Sequence, residues 1–188
     1  MGLSRDDFSE VYLFFDYDGH QTNLEKTVHE DVICQMLKSF DNETENGKLY
    51  ISYPMVEALR DFEADKCGNG DNCFVEISDL AEYKNISSRN SLNPHFRDYN
   101  IDVWKEIVNV FSMRISCLLG NAEVISYEQY LDEANPHDIF MCEQALAGNN
   151  KVFIISAFPE FLVDYFGMKL WRTCVKHAKN QLDICNCK

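Results

Sequence analysis

The chain is poor in the residues that punctuate or loosen a fold. Its 188 residues include only eight glycines and four prolines, with no repeat and no low-complexity stretch. That excludes collagen-like, linker-like and disordered classes. Basic residues are scarce as well. Seventeen lysines and arginines face 31 acids, for a formal charge of −14. Phosphate backbones repel such a chain unless cations or a local basic patch intervene, so nonspecific nucleic-acid binding through net charge is not expected. Long apolar runs are missing. Residues 11–15 and 152–155 fall far short of the roughly 20 that a membrane helix needs. The opening MGLSRDDFSE lacks an apolar core, so no secretory signal is expected. Asp6 stands where a myristoylation signal wants Ser or Thr. The expected location is the cytoplasm, with no membrane contact. GxxxxGK[ST], GxSxG and HExxH are absent too, which leaves no standard phosphate loop, serine-hydrolase elbow or zinc-protease helix.

What is present is core material. Hydrophobic residues make up 46% of the chain and aromatics 13%, enough for one sizeable domain. Eight cysteines without a secretory signal read as reduced thiols or metal ligands rather than disulfides. CGNGDNC (67–73) and the terminal CNC (185–187) offer four thiols, but at spacings unlike those of zinc ribbons. Buried or incidental thiols are the expectation.

Patterning predicts a strand at 11–15, short, apolar and fully buried. An amphipathic helix follows over 24–40, then a polar turn over 41–48 and a strand at 49–52. Pro54 suits the first turn of a helix over 55–62. Residues 64–100 read as an irregular insertion, with an extended piece at 73–77, a helix start at 78–83 and polar loop over 85–100. Helices are predicted over 102–119, capped by Asp102, and over 136–147, stopped by Gly148. A strand at 151–156 precedes a helix over 159–177, interrupted at Gly167. This alternation predicts one α/β domain over 1–188, with a mostly parallel sheet flanked by helices. Three strands end in polar signals, DYD, SYP and SAFPE. In a parallel sheet all three meet at one edge, where such folds put their chemistry.

Asp16 and Asp18 carry the strongest chemical signal. Two residues apart in extended chain, their carboxylates share a face. Adjacent like charges are costly to desolvate unless a cation sits between them, and two carboxylates make half of an oxygen site for Mg²⁺ or Mn²⁺. The ordinary alternative is turn chemistry at Asp18–Gly19. Glu57 is a lone acid in an apolar run, on a helix that starts where the second strand ends. A first-turn acid favoured by the helix dipole explains it equally well. Glu160 and Asp164 are minor candidates at the third junction, where packing is the better account. His20 is a candidate phosphate contact. His29, His95, His137 and His177 form no metal-spaced set.

A strand ending in Asp16-x-Asp18, a helix, and a strand leading into Pro54-x-x-Glu57 resemble the Toprim-like (Rossmann-like) nuclease domains of OLD-type nucleases, RloB-like proteins and abortive-infection proteins of bacterial antiviral defence. The resemblance covers residues 10–63, with an echo at 152–167. It implies a hydrolase cleaving phosphodiesters of DNA or RNA with magnesium, held by Asp16, Asp18 and Glu57 as metal and catalytic residues. It also implies a further glutamate on an earlier strand. Glu10 cannot serve, lying roughly 20 Å from Asp16 by strand rise. The domain is therefore expected to lack its first strand and to need another segment or a protein partner for full activity. FFDYDG is also similar to the first motif of haloacid-dehalogenase-type phosphatases, with Asp16 as nucleophile and Asp18 as general acid. IISAFPEFL and GNGDN echo later motifs of that family in the wrong order. A non-catalytic interaction or regulatory protein on an α/β scaffold is the third expectation.

Overall fold

The computed structural model of the chain describes residues 4–17, 32–62 and 73–175. Strands β1 (Tyr12–Asp16) and β3 (Gly47–Ser52) run parallel, with Tyr12 opposite Lys48 and Asp16 opposite Ser52. Helix α1 (Val32–Ser39) lies in the connection between them, as a parallel pair requires. It buries Cys34 and Leu37. A two-residue strand, β2 (Asp41–Asn42), turns back antiparallel onto β3. The turn ends at Gly47, whose φ of +115° suits glycine. A Cβ there would also meet Val11 Cγ1 at 3.2 Å.

The second sheet pairs β4 (Phe74–Glu76) with β5 (Lys151–Phe153), antiparallel. One antiparallel bridge joins the sheets. Tyr53 N donates to Ile155 O at 2.7 Å, and Ile155 N donates to Tyr53 O at 2.9 Å. Among the described residues the protein is thus a mixed α/β fold with one parallel pair and two antiparallel ones, where a mostly parallel sheet was predicted. Apolar content and length mark a strand but not the direction from which the chain enters it.

Helices supply most of the packing. Helix α3 (Ile101–Leu118) packs along α6 (Ala157–Cys174) and buries Val108, Phe111 and Ile115. Its cap is Asn100, whose side chain accepts from the N–H groups of Asp102 and Val103, so the expected Asp102 cap sits two residues too far along. Helix α4 (Tyr127–Glu133), which the sequence pattern did not reveal, contributes Tyr130 against Trp171. Helix α5 (Pro136–Ala147) matches its predicted bounds, with Asn135 as cap. Gly167 interrupts α6 with φ 64° and ψ −154°. The stretch expected to be irregular holds helix α2 (Leu80–Asn90), which packs on residues 56–61 through Leu80, Tyr83 and Ser87. No helix among the described residues is long and apolar enough to cross a membrane. Cys34, Cys73, Cys117 and Cys174 are buried and Cys142 half-buried. Cys67, Cys185 and Cys187 lie outside the described residues.

β1 departs from expectation. It was predicted to be fully buried, yet Phe14 is 39% exposed and Phe15 48%. Among the described residues β1 pairs only with β3, so it is an edge strand. Among the described residues, Tyr12 and Phe14 are covered on one face by α6 and lie beside Tyr50 of β3. Phe14 stacks on Phe158 with ring centroids 5.2 Å apart, and Tyr12 meets Phe161 edge-on at 4.9 Å.

Candidate active site

The parallel register of β1 and β3 brings two of the candidate acids together. Asp16 ends β1 opposite Ser52, and Tyr17 N donates to Ser52 O at 2.9 Å. The chain then passes Tyr53 and Pro54 into a 3₁₀ helix, Val56–Asp61, where an α-helix was predicted. Short 3₁₀ turns suit a connector fixed at both ends. Here the Tyr53 bridge holds one end, and the Arg114 guanidinium holds the other through the Asp61 carbonyl at 2.7 Å. Glu57 falls in the first turn of this segment and is buried.

Asp16 is solvent-exposed on one side, yet its carboxyl is held above the ordinary range. Partial desolvation is the largest cause. The neighbouring charge of Glu57 adds to it, while the Val56 N–H and the Lys84 ammonium work the other way. Glu57 forms an ion pair with Lys84, Nζ to Oε1 2.9 Å. The Lys84 side chain is 68% exposed, so solvent competes for it. Lys84 sits on α2, inside a polar stretch with no periodic signal, and nothing in the sequence marked it as a partner of Glu57.

The third junction also arrives here, though antiparallel rather than parallel. Ala157 N, at the start of α6, donates to Ser52 Oγ at 3.3 Å. Ser156 caps α6 with its own hydroxyl. Ser52 and Ser156 are both buried. Their hydroxyls therefore fix the junction rather than face a ligand.

Glu160 and Asp164 are not part of this carboxylate pair. Asp164 accepts from Lys48 Nζ at 2.5 Å and from the hydroxyls of Tyr50 and Tyr130, each at 2.9 Å. Glu160 is 1% exposed and its Oε1 has no hydrogen-bond partner among the described residues. Burial first, and then Asp164, hold its carboxyl well above the ordinary range. Asp18 and His20 lie outside the described residues, as does His29.

The donor set suits a hard cation in kind. Asp16 and Glu57 offer carboxylate oxygens, which Mg²⁺ and Mn²⁺ prefer. In number it is short, since the described residues contain no cluster of three His, Cys, Asp or Glu side chains able to hold a metal. A lysine already neutralises one of the two carboxylates. No protein-family model, no curated protein and no solved structure matches the chain.

Proposed function

We propose that the carboxyl ends of β1 and β3 form a magnesium-dependent phosphodiester-cleaving site of the kind the Toprim-like resemblance implies, with Asp16 and Glu57 as carboxylate ligands. The observation that supports it most is the meeting of these two acids: strands whose register partners lie 36 residues apart bring them close enough for one charge to raise the other's carboxyl. Asp18, two residues beyond Asp16 in the sequence, would add a third carboxylate, and His20 a phosphate contact. Bound Mg²⁺ would supply Lewis-acid polarisation of a phosphodiester. The protein's own part is to hold Asp16 in place through the Val56 N–H and to hold Glu57 beside the Lys84 ammonium. The acidic surface makes nucleic acid a substrate only with help from cations or a protein partner. The side of β1 without a partner strand among the described residues is where a completing strand would add.

A second reading has its own support. The Lys84 ammonium at Glu57 is a built-in counter-ion, which suits a non-catalytic regulatory module needing no metal. Two probes separate the readings, with a phosphatase as the third outcome. Wild type with Mg²⁺ should cleave a generic phosphodiester, such as bis(4-nitrophenyl) phosphate, and leave 4-nitrophenyl phosphate intact. Asp16→Asn should abolish the cleavage. Turnover of the monoester instead supports the phosphatase chemistry of the FFDYDG resemblance. Turnover of neither, with no Mn²⁺ binding by calorimetry, supports the regulatory module.

A further inference from the structure

At the opposite end of β3, a cavity of about 420 Å³ opens between the last turn of α1 and the start of α5. Lys48, four register positions from Ser52, lines it about 13 Å from the Asp16 site. Among the described residues, Lys38 and His137 are the other basic groups on its wall, Asp41 is the one acid lining it, and Leu37 and Phe40 give it an apolar side. Three basic side chains around one cavity are unexpected in a chain of net charge −14.

Two of the three are held from behind. Asp164 fixes the Lys48 ammonium and is itself fixed by the hydroxyls of Tyr50 and Tyr130. The Lys48 ammonium also lies 5.4 Å from the centre of the Tyr50 ring. On the other wall, His137 Nε2 lies 3.7 Å from the buried Cys34 Sγ. Side chains fixed in this way lose little entropy when a ligand arrives, which is the condition for useful affinity in a small site. Lys38 is exposed at the rim and forms no ion pair among the described residues. The start of α5 adds no donor. Asn135 Oδ1 already accepts from the N–H groups of His137 and Asp138, at 3.0 and 3.1 Å. Affinity must come from the side chains.

We infer that this cavity binds a small organic anion, with a carboxylate or phosphate head among Lys38, Lys48 and His137 and a hydrocarbon body against Leu37 and Phe40. The volume lies within the range of small-ligand pockets. Asp41 on the same wall repels a second negative charge, so a ligand with one anionic group is preferred over a polyanion. The inference does not depend on the Asp16 chemistry.

The test is a titration of the full chain, followed by backbone amide NMR, with benzoate, phenyl phosphate and the neutral benzyl alcohol at constant ionic strength. Saturable shifts at residues 37–41, 135 and 137 are expected with at least one anion, and the tighter of the two identifies the head group. Benzyl alcohol should bind at least about tenfold more weakly. Lys38→Ala, whose target is exposed and whose loss strands no buried group, should weaken the anion at least about fivefold. Lys105→Ala, far from the cavity on α3, should leave it unchanged. Absence of saturation by about 20 mM of either anion, equal binding of the alcohol, or indifference to Lys38→Ala overturns the inference.

Discussion

The two ends of β3 hold charge in opposite ways. At the Lys48 end, a lysine 23% exposed is locked to Asp164, and two tyrosine hydroxyls complete the carboxylate's bonding. At the Ser52 end, Asp16 faces solvent, and Glu57 is tied to a lysine that is itself 68% exposed. The first arrangement is over-determined: each partner keeps the next in place, and removal of one strands the others. The second is under-determined, with carboxylates that can exchange partners at low cost. A site that must admit a cation needs the second kind, and a site that must present a fixed cation to a ligand needs the first. The same strand therefore offers two binding chemistries of opposite sign.

The largest effect should come from the locked end. Asp164→Ala leaves Lys48 and two tyrosine hydroxyls without their acceptor, and should cost about 2–4 kcal/mol in urea unfolding, scaled down from a fully buried pair because both partners are partly exposed. A loss below about 0.5 kcal/mol would mean the lock is decorative.

Beside that lock lie buried acids that should titrate against the fold. Glu160 and, further along α5 and β5, Glu143 both have carboxyls raised well above the ordinary 4.5, chiefly by burial. The Phe153 N–H donates to one oxygen of Glu143 at 2.9 Å and opposes the shift only in part. Because the folded state binds these protons more tightly than the unfolded state, their stabilising contribution is complete below the ordinary glutamate range. It is lost as pH rises through the raised folded values. Wild type should therefore weaken between mildly acidic and alkaline pH. Glu143→Gln and Glu160→Gln should flatten that decline, each by on the order of 1 kcal/mol at the alkaline end. Parallel melting curves of wild type and variants at every pH would contradict this.

At the loose end the effects on stability should be small and those on metal large. Lys84→Met should change unfolding free energy by less than about 1 kcal/mol, because its ion pair is largely solvated. It should tighten Mn²⁺ several-fold in calorimetry by removing the competing ammonium. Asp16→Asn should leave stability within about 0.5 kcal/mol or raise it, since it removes like-charge repulsion with Glu57. If Asp16→Asn destabilises as much as Asp164→Ala, the distinction between the two ends fails.

Some of this was legible in the residues. Pro136 and Gly148 mark both ends of α5, because helix starts and stops act through the local backbone. The meeting of Asp16 with Glu57 followed from a strand, helix, strand order that makes the first two strands parallel. Direction was not legible for β5, which pairs antiparallel with β4, while the chain just beyond it joins the first sheet through the Tyr53–Ile155 bridge. Nor was the edge position of β1. Five apolar residues read as buried, and no local pattern says that Phe14 and Phe15 stay partly exposed. The start of helix α2 was legible at 78–83, but its polar continuation read as loop, and with it went Lys84. The Lys48–Asp164 lock joins residues 116 apart, a pairing that only packing reveals.

The central claim is that Asp16 and Glu57 share a divalent cation. The direct test is a crystal of the full chain soaked in Mn²⁺, with anomalous difference density measured beside wild type and Glu57→Gln. The account predicts a peak within ligand distance of both carboxylates in wild type, with Lys84 displaced, and no peak in Glu57→Gln. A wild-type map with no anomalous peak there, and Lys84 still paired to Glu57, would contradict it.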